Sequence, residues 1–507
     1  MTYAAGVDPR TANPLPAVTE ETSEQQVDNI AERAATACAG LEAMGRHGRG
    51  ELLDTMADAV ERHRDELVET AALETGFTTG KLEGELTRAG YQLRFFADVI
   101  RDGGYLEATI DRARTTPMGP RPDLRRLLLP IGPVAVFGAS NFPFAFSVLG
   151  GDTASALAAG CPVVVKAHAS HPATSKLSFD VLAEAIAGTP APVAALGIVY
   201  GREAGARLVA HPAIRAVGFT GSLGGGNALL DIINRRPDPI PFYGELSSIN
   251  PVIVTPTAAA ERGEAIAADL VTSFTLGAGQ LCTKPGLVLV PDNAGGDALV
   301  RAVDKAVAEV ASAPLLNERI FDSYRSGTRE LREHPRVSAL GAPDENPAAG
   351  FTVEPMAFET GIDDLHEGLV TEIFGPVTVL VRYPAAHPDV ATRSALAVLP
   401  YSLTATIIHA AGEDELLARL TDITRPAAGR IVYNGFPTGV AVSWAQTHGG
   451  PWPSTNSLHT SVGATAIRRF LRPVTYQNAP ESILPEELRD GYEAIVRRLD
   501  GVVTLPG

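Results

Sequence analysis

The segment GAGQLCTKPG, residues 277–286, holds one of only three cysteines in a chain of 507 residues. Small residues precede Cys282, and Lys284 follows it closely. A thiolate is a strong nucleophile, and a nearby cation favours its formation. Lone cysteines are also common as small buried apolar residues, and lysines as surface charges. The segment alone therefore leaves two interpretations open, a core cysteine and a catalytic thiol.

Other short motifs carry polar groups that could act together with a thiol. SNFP (140–143) supplies the amide of Asn141, and GFTGS (218–222) ends in a glycine turn. Glu245 stands among uncharged neighbours in YGELSSINPVIV, and Glu372 opens EIFGP. A carboxyl group in apolar surroundings has a raised pKa, which suits a general base near neutral pH. If these motifs do not act together, Asn141 would be an ordinary turn residue, and Glu245 and Glu372 would be carboxylates that accept hydrogen bonds from backbone N–H groups.

The elements that must position these motifs alternate between strands and helices. Short apolar runs predict strands at 132–138, 162–166, 193–200 and 214–221, and helical periodicity predicts helices at 151–160, 171–188 and 203–211. This alternation indicates βαβ units and a parallel sheet, which binds ligands at the carboxyl ends of its strands. From about Asn250 a second alternating block predicts a second α/β domain.

The regions flanking these blocks have a different character. Amphipathic helices are predicted over 23–44, 49–76 and 84–103. The segment 109–132 is rich in proline and arginine and breaks the pattern, so it is interpreted as a β-arm or linker. The last thirty residues are interpreted as a helical appendage.

Composition and charge narrow the classes of function. The length indicates two or three domains, and the net charge of −17 argues against nucleic acid or an anionic membrane as partner. Neither a signal peptide nor an apolar membrane span is expected. The cysteines stand at no metal-like spacing, so no metal or disulfide framework is expected and a reducing cytoplasm is predicted.

Taken together and in order, the motifs resemble those of the aldehyde dehydrogenase superfamily, from the N-terminal helices to near residue 480. The series is S-N-F-P, K, G-F-T-G-S, E-L, G-Q-x-C-T and E-I-F-G-P. The phrases HGGPWP and TSVGATAIRRFLRPVTYQN are most similar to NADP-preferring branches, the α-ketoglutaric semialdehyde (2,5-dioxopentanoate) dehydrogenases and the bacterial fatty aldehyde dehydrogenases. The series is specific because six motifs recur in the family's order.

The resemblance implies the α/β fold of that family. Its parts would be a Rossmann-like cofactor-binding domain, an α/β catalytic domain and a β-arm for oligomerisation. The implied boundaries are 1–110 and 131–245 for the cofactor domain, 246–450 for the catalytic domain, 111–130 and 465–480 for the arm, and 481–507 for a C-terminal appendage. Exchange of arm strands between subunits would give a homodimer or homotetramer.

The resemblance also implies NAD(P)-dependent oxidation of an aldehyde to a carboxylic acid. Cys282 would attack the carbonyl, and Asn141 with the backbone N–H of Cys282 would hold the oxyanion. Glu245 would be the base that hydrolyses the resulting thioester. Its E-L motif departs from the family pattern, because Ser-Ser-Ile follows instead of the commoner Gly-Gly-Lys.

Cofactor residues are implied by the same motifs. Lys166 resembles the lysine that holds the adenosine ribose, and Ala169 stands where NAD-preferring members have a glutamate. Loss of that carboxylate favours NADP, with NAD as the alternative. The implied contacts are His168, Ser170 and Arg202 for a 2′-phosphate, Gly221 and Ser222 for the pyrophosphate, and Glu372 with Phe374 at the nicotinamide end. Ser140, and Gly226 at the end of the glycine motif GSLGGG, are further candidates for binding the cofactor.

The substrate is less constrained by the sequence. Arg94 is a candidate for binding a carboxylate, and Phe436 is a candidate for lining a substrate tunnel, together with Phe95, Phe96 and Trp444. Each could instead be a surface arginine or a core aromatic. Two departures bear on the branch: Gly150 replaces a lysine found in many members, and 454–463 lacks the charged residues associated with the semialdehyde branch.

Several activities therefore remain as hypotheses. The preferred one is oxidation of 2,5-dioxopentanoate to 2-oxoglutarate with NADP, and the first alternative is a medium- or long-chain fatty aldehyde dehydrogenase. An acylating enzyme that passes the thioester to coenzyme A is disfavoured by Glu245. An inactive cofactor-binding relative is disfavoured by the joint presence of Cys282, Glu245 and Asn141.

Overall fold

A computed structural model describes residues 2–341 and 349–507. These residues form three main β-sheets surrounded by helices, as the alternating sequence pattern predicts. The helices are α1 Glu24–Ala43, α2 Gly45–Arg62, α3 Arg64–Thr75, α4 Thr79–Asp102, α5 Gly151–Ala159, α6 Pro172–Ala187, α7 Arg202–Ala210, α8 Leu223–Asn234, α9 Pro256–Thr275, α10 Ala294–Ala308, α11 Glu318–Glu333, α12 Pro388–Val398 and α13 Asp414–Thr424.

The N-terminal helices begin and end at recognisable signals. A capping box between Ser23 and Gln26 starts α1, Thr78 caps α4, and Gly103 ends α4 in a left-handed conformation. The single helix predicted over 49–76 is wrong, because the chain leaves helical geometry at His63 and separates α2 from α3. No helix in the described parts of the chain is long and apolar enough to cross a bilayer.

The first sheet has five parallel strands. In spatial order they are Phe242–Glu245, Ala216–Thr220, Val134–Phe137, Val163–Lys166 and Leu196–Val199. The strand that comes first in the chain, Val134–Phe137, lies in the middle, so the order reverses on either side of it. Ligands of doubly wound sheets bind at such a reversal, beyond the carboxyl ends of the strands.

The second sheet has seven strands and is parallel except for its first edge strand. In spatial order they are Ser338–Leu340, Met356–Gly361, Val377–Tyr383, Leu287–Pro291, Val252–Val254, Ser402–Ile408 and Ala428–Tyr433. Alternate residues of its central strands enter two separate apolar clusters, one on each face. Burial on both faces explains the continuous runs of valine, leucine and isoleucine in these strands.

The third sheet joins segments that are far apart in the sequence. In spatial order its strands are Leu471–Gln477, Leu124–Pro130, Thr109–Asp111, Arg497–Leu499 and Val502–Thr504. Three two-stranded antiparallel sheets complete the strands of the described residues: Tyr3–Asp8 with Asn13–Glu20, Arg114–Thr116 with Gly119–Arg121, and Ala313–Pro314 with Thr352–Val353.

The prediction of a helical C-terminal appendage is wrong. The last described residues contain short 3₁₀ turns and two strands, which extend the third sheet. Asp500 and Gly501, both with positive φ, form the tight turn between these strands. An Asp-Gly pair favours a two-residue hairpin turn because its residues tolerate the left-handed conformation.

Candidate active site

The candidate site lies where the first two sheets face each other. Asn141 follows the central strand of the first sheet, and Glu245 ends an edge strand of the same sheet. Cys282 comes before the strand Leu287–Pro291 of the second sheet, and Glu372 comes before Val377–Tyr383. The carboxyl edge of the first sheet therefore contributes with the amino edge of the second, which the rule for single parallel sheets does not anticipate.

A left-handed turn after α9 positions Cys282. Gly277, Ala278 and Gly279 all have positive φ, close to +60°. A Cβ on Gly279 would lie 2.3 Å from the carbonyl of Gly375, so only glycine lets the two loops pack together. The small residues before the cysteine thus serve the turn and the contact between loops.

Asn250 fixes the cysteine segment from the other side. Its side-chain amide donates hydrogen bonds to the carbonyls of Cys282 (2.8 Å) and Lys284 (3.0 Å). Its side-chain oxygen accepts from the hydroxyl groups of Ser248 and Thr404. Because these partners are buried, the backbone on either side of the thiol has a single well-defined position.

The thiol and the buried carboxyl group share one histidine nitrogen. Cys282 Sγ lies 3.4 Å from His448 Nε2, and the same nitrogen lies 3.3 Å from Glu245 Oε2. Glu245 and His448 are almost fully buried. Glu245 Oε2 also accepts a hydrogen bond from the Ser461 hydroxyl at 2.7 Å, whereas Oε1 has no hydrogen-bond partner among the described residues. One carboxylate oxygen is thus free for a further donor.

Burial dominates the protonation of these three groups. It raises the pKa of Glu245 to about 8, and the carboxylate of Asp152 adds to this while Ser461 and Arg469 oppose it. It lowers the pKa of His448 to about 3, with help from Arg430 and Arg88, so the imidazole is neutral. Burial also raises the pKa of Cys282 above its usual range, and the nearby carboxylates of Glu245 and Glu372 raise it further.

Helix α4 holds the loop that carries Asn141. Lys81 Nζ donates to the Asn141 carbonyl, and the Glu85 carboxylate accepts from the backbone N–H of Phe144 and of Ala145. The Asn141 amide itself donates to the Gln280 carbonyl at 2.7 Å, two residues before the cysteine. An amide nitrogen carries two hydrogens, so one remains for a substrate oxygen.

Lys284 is neither a surface charge nor a partner of the thiol. Its ammonium is buried and donates to the carbonyls of Ile373 (3.1 Å) and Val377 (2.7 Å). Burial lowers the pKa of Lys284 and raises the pKa of Glu372, while the opposite charges of the two groups counteract both shifts. Lys284 thus anchors the loop that carries Glu372 and Phe374, both partly exposed.

Several predicted cofactor residues lie at the carboxyl edge of the first sheet. Ser140 is partly exposed beyond the central strand, and Lys166 ends the neighbouring strand with a side chain that makes no hydrogen bond in the described structure. Gly221 and Ser222 precede α8, where Ser222 caps Gly225. The N-terminus of this twelve-residue helix and the unpaired Lys166, which ends a strand two positions away in the sheet, fit the phosphates and ribose of a dinucleotide.

Three other predicted cofactor residues have internal partners. The Ser170 hydroxyl is buried and accepts a hydrogen bond from Asn317, and His168 Nδ1 accepts from the Ser170 backbone. Gly226 is buried, and a Cβ there would lie 2.5 Å from Leu246, so its small size serves the packing of α8. Arg202, in contrast, is exposed at the start of α7 and has no carboxylate partner in the described ranges.

The structure does not support the predicted substrate residues. The Arg94 guanidinium lies at the surface and pairs with Asp58 at 2.5 Å, on the side of α4 that meets α2. Phe436 packs against the apolar cluster beneath α9 and α10. Trp444 is about half exposed and contacts Phe95, which belongs to the core.

Sequence reasoning missed most of the partners of the predicted residues. His448, Ser461, Arg88 and Arg430 surround the thiol or the base, and Asn250 holds the loop. A usable signal existed for His448, because HGGPWP combines a histidine with glycines and prolines in a segment without helical or strand periodicity. Arg88 gave no such signal, because charged residues are expected throughout an amphipathic helix.

Two α/β sheets with a partly exposed cysteine, a buried histidine and a buried glutamate between them suit a dehydrogenase that oxidises aldehydes. The aldehyde dehydrogenase family model matches residues 2–471, and the chain belongs to this family. It is an oxidoreductase that acts on an aldehyde with NAD or NADP. The predicted family and fold are confirmed.

The chain is similar over nearly its whole length to two curated relatives. It is 45% identical to α-ketoglutaric semialdehyde dehydrogenase 2 of Azospirillum brasilense, over 97% of this chain and 94% of that protein. It is 42% identical to α-ketoglutaric semialdehyde dehydrogenase of Acinetobacter baylyi, over 94% and 91%. Aldehyde dehydrogenase C of Pseudomonas syringae, solved with NAD⁺ and octanal, has the same fold with a TM-score of 0.79 and 21% identity, over 94% of each chain.

Proposed function

We propose that this dehydrogenase oxidises 2,5-dioxopentanoate to 2-oxoglutarate through a thioester on Cys282. The observation that carries the mechanism is the contact of the Cys282 thiol with His448 Nε2, which also faces Glu245. The names of the two relatives at 45% and 42% identity support the substrate. The chemistry follows from the residues in three steps.

The first step is attack of the Cys282 sulfur on the aldehyde carbon. The thiol must lose its proton, and the neutral imidazole of His448 can accept it at Nε2 and release it to solvent, which leaves the Glu245 carboxylate free for the third step. The carbonyl oxygen becomes an alkoxide. The free N–H of Asn141 and the backbone N–H of Cys282 are the donors that stabilise this charge.

The second step is oxidation of the covalent adduct to a thioester. Bound NAD(P) supplies the hydride acceptor for this step. Lys166, Gly221, Ser222, Glu372 and Phe374 are the residues that would hold it, together with Ser140. The support is the helix N-terminus at Ser222 and the unpaired Lys166 at the same edge of the sheet, which offer backbone N–H groups and a cation to the phosphates and ribose.

The third step is hydrolysis of the thioester. Glu245 Oε1 has no hydrogen-bond partner in the described structure, so it can accept a proton from a water molecule. The raised pKa of Glu245 makes this carboxylate a stronger base than an exposed one. Water attacks the acyl carbon, the sulfur leaves, and the acid product is released.

We infer a preference for NADP over NAD. Ala169 offers no carboxylate to repel a 2′-phosphate, and Arg202 is exposed with no acidic partner in the described parts of the chain. A guanidinium suits a phosphate because its planar fork donates two parallel hydrogen bonds. His168 and Ser170 contribute less than the sequence predicts, since both have internal partners.

We also propose a separate function for each of the three sheets. The first sheet, with 1–110 and 131–245, would bind the cofactor, and the second, within 246–450, would carry the nucleophile. The third sheet contains the predicted arm segments 111–130 and 465–480, and the strands of 481–507 extend it. Its outer strands leave backbone groups that a second subunit could pair with, which supports a homodimer or homotetramer.

The test is a steady-state assay of reduced cofactor with NADP⁺ or NAD⁺. The aldehydes are 2,5-dioxopentanoate, hexanal and decanal, and Cys282→Ala serves as the inactive control. We expect the dioxo acid to have the highest kcat/KM, with NADP⁺ preferred and no turnover in the variant. A preference for decanal would replace the substrate assignment with a fatty aldehyde. Unchanged turnover in Cys282→Ala would refute the mechanism.

A further inference from the structure

One residue of the α4 face that supports the active site is incompletely paired. Lys81, Glu85, Arg88 and Gln92 share this face at helical spacing, and all except Arg88 hydrogen-bond the loop of Asn141. Arg88 Nη1 donates to the Val440 carbonyl. Its Nε and Nη2 have no hydrogen-bond partner among residues 2–341 and 349–507.

A second arginine reaches the same loop from the second sheet. Arg430 donates to the carbonyls of Pro437 and Gly439, and its Nε is also without a partner in the described structure. No carboxylate of the described residues lies within 4.0 Å of either guanidinium, whereas other arginines of α4 have such partners. The loop 437–440 is therefore flanked by two partly buried cations, and neither forms a salt bridge with a carboxylate of the described residues.

These cations lie on the thiol side of the site. Arg88 Cζ is 5.7 Å from the centre of the Phe146 ring, and that ring is 6.3 Å from the His448 ring, which contacts the Cys282 sulfur. The loop also meets the residue after the nucleophile, because the Thr283 hydroxyl donates to the Thr438 carbonyl at 3.4 Å. The charge of a Cys282 thiolate acts on both arginines and counteracts the lowering of their pKa by burial, and the Glu85 carboxylate adds to this effect at Arg88.

A buried cation without a partner is costly, and such a charge is normally paired. Arg88 keeps three N–H groups on its two unpaired nitrogens, which is the arrangement that a carboxylate binds with two parallel hydrogen bonds. A carboxylate of the substrate would supply the anion that pairs with Arg88. We propose that Arg88, assisted by Arg430, binds the carboxylate of an aldehyde acid whose aldehyde carbon lies at Cys282.

The inference rests on the proposed function and deepens it by naming the specificity residue. It predicts that the preferred substrates are short unbranched aldehydes with a carboxylate at the far end. A neutral aldehyde of the same length would leave the guanidinium unpaired and would therefore react less efficiently. Arg94, on the same helix, makes no such contribution, because Asp58 and Asp54 already pair with it at the surface.

The experiment compares Arg88→Met with the matched surface control Arg94→Met. Each is assayed with 2,5-dioxopentanoate and with pentanal, a neutral aldehyde of the same chain length. We expect Arg88→Met to lower kcat/KM for the acid on the order of a hundredfold, mainly through KM, and for pentanal by less than about tenfold and mainly through kcat, because the lost cation also acts on the thiolate. Arg94→Met should leave both substrates unchanged. An equal loss for both substrates, or no loss for the acid, would overturn the inference.

A binding measurement separates this inference from the proposed function. Glutarate is an unreactive dicarboxylate, and calorimetry on Cys282→Ala should detect its binding, which a second substitution, Arg88→Met, should abolish. Arg88→Lys keeps the charge without the fork and should bind glutarate with intermediate affinity. Glutarate binding that is indifferent to residue 88 overturns the inference even if aldehydes are oxidised. Failure of the wild-type protein to oxidise any aldehyde refutes the proposed function, and the glutarate titration still decides the role of Arg88.

Discussion

The buried surroundings of Glu245 favour the protonated form of its carboxyl group. Burial raises its pKa to about 8, so near neutral pH most molecules carry a protonated carboxyl group. A base must be deprotonated to accept a proton from water, so the active fraction grows as pH rises through the raised pKa. The resting thiol of Cys282 is neutral for the same physical reason. Both effects place the most active form on the alkaline side of neutrality.

We predict that kcat rises between pH 6 and pH 9 with an apparent pKa near 8. Glu245→Gln keeps the shape and removes the base, so it should lower kcat by about 10²–10⁴-fold and flatten this limb. Rapid-quench kinetics should then show a burst of reduced cofactor followed by slow turnover, because the thioester accumulates. A Glu245→Gln enzyme that turns over at the wild-type rate would show that another group hydrolyses the thioester.

The Ser461 hydroxyl provides a finer test of the same carboxyl group. Its hydrogen bond to Oε2 at 2.7 Å stabilises the ionised form and lowers the pKa of Glu245. Ser461→Ala removes this stabilisation, so the alkaline limb of the kcat profile should move to higher pH. The pH dependence of kcat measures the shift directly. A limb that stays in place, or that moves to lower pH, would contradict the assignment of that limb to Glu245.

Sequence and structure agree best for the residues with a strong local motif. Cys282, Glu245 and Asn141 stand in short motifs, and the structure brings all three into one site. His448 lies 166 residues after Cys282, and Ser461 lies 216 residues after Glu245, in an irregular segment where no periodicity predicts the direction of their side chains. The pairing of Glu245 with Thr455 and two hydrogen bonds of the Asn456 side chain hold that segment against the edge strand of the first sheet. Long-range contacts of this kind cannot be read from local patterns.

At the scale of elements, two loops depend on each other. The turn at Gly277–Gly279 packs its last glycine against Gly375 in the loop of Glu372. Lys284, after the cysteine, holds the carbonyls of Ile373 and Val377 in the same loop. The nucleophile and the predicted ribose-binding glutamate are thus positioned by one shared contact. Displacing either loop should affect both catalysis and cofactor binding.

We predict that Gly279→Ala disrupts both functions. The new Cβ would meet the Gly375 carbonyl at 2.3 Å, and φ at residue 279 is left-handed. We expect a loss of about 2–4 kcal/mol in the free energy of unfolding, a lower kcat and a higher KM for the cofactor. Gly491→Ala is the matched control, since φ is also left-handed there but the added Cβ would meet no atom within 4 Å. Equal losses in the two variants would show that the loop contact contributes nothing.

The helices and strands that could be predicted are those with regular patterns. Four of the five strands of the first sheet and helices such as α5 and α6 follow the apolar runs and helical spacing closely. The edge strand Phe242–Glu245 and the helices α8 and α10–α13 were not predicted. The break at His63 and the C-terminal strands were missed, because charged residues at helical spacing occur on both sides of these positions. The Asp500–Gly501 pair was the informative signal in the second case. These two residues favour a tight turn, and the turn forms although the surrounding residues have helical spacing.

At the scale of the whole molecule, the C-terminal segment is part of the main fold. Ile495 is almost fully buried, and its side chain fills the space beside Gly103 at the end of α4. It belongs to the large apolar cluster that also contains α4 and the first sheet. The C-terminal segment therefore packs against α4, the helix that supports the Asn141 loop, and stabilises it.

We predict that Ile495→Ala lowers the free energy of unfolding by about 2–5 kcal/mol, because it leaves a cavity in this cluster. Leu505→Ala, at a side chain that is 76% exposed, should change it by less than about 0.5 kcal/mol. Chemical denaturation of the two variants makes the comparison. Equal stability would show that the C-terminal strands are attached without supporting the fold.

The third sheet also has a consequence for how the protein is made. Thr109–Asp111 pairs with Arg497–Leu499, so one strand is synthesised long before its neighbour. At roughly 5–20 residues per second, the earlier strand waits for tens of seconds with an unpaired edge while the two large domains emerge. A nascent chain in this interval exposes a template for strand pairing. Chaperones that act on ribosome-bound chains could bind at this edge. Neighbouring nascent chains on one messenger RNA could also pair with each other there.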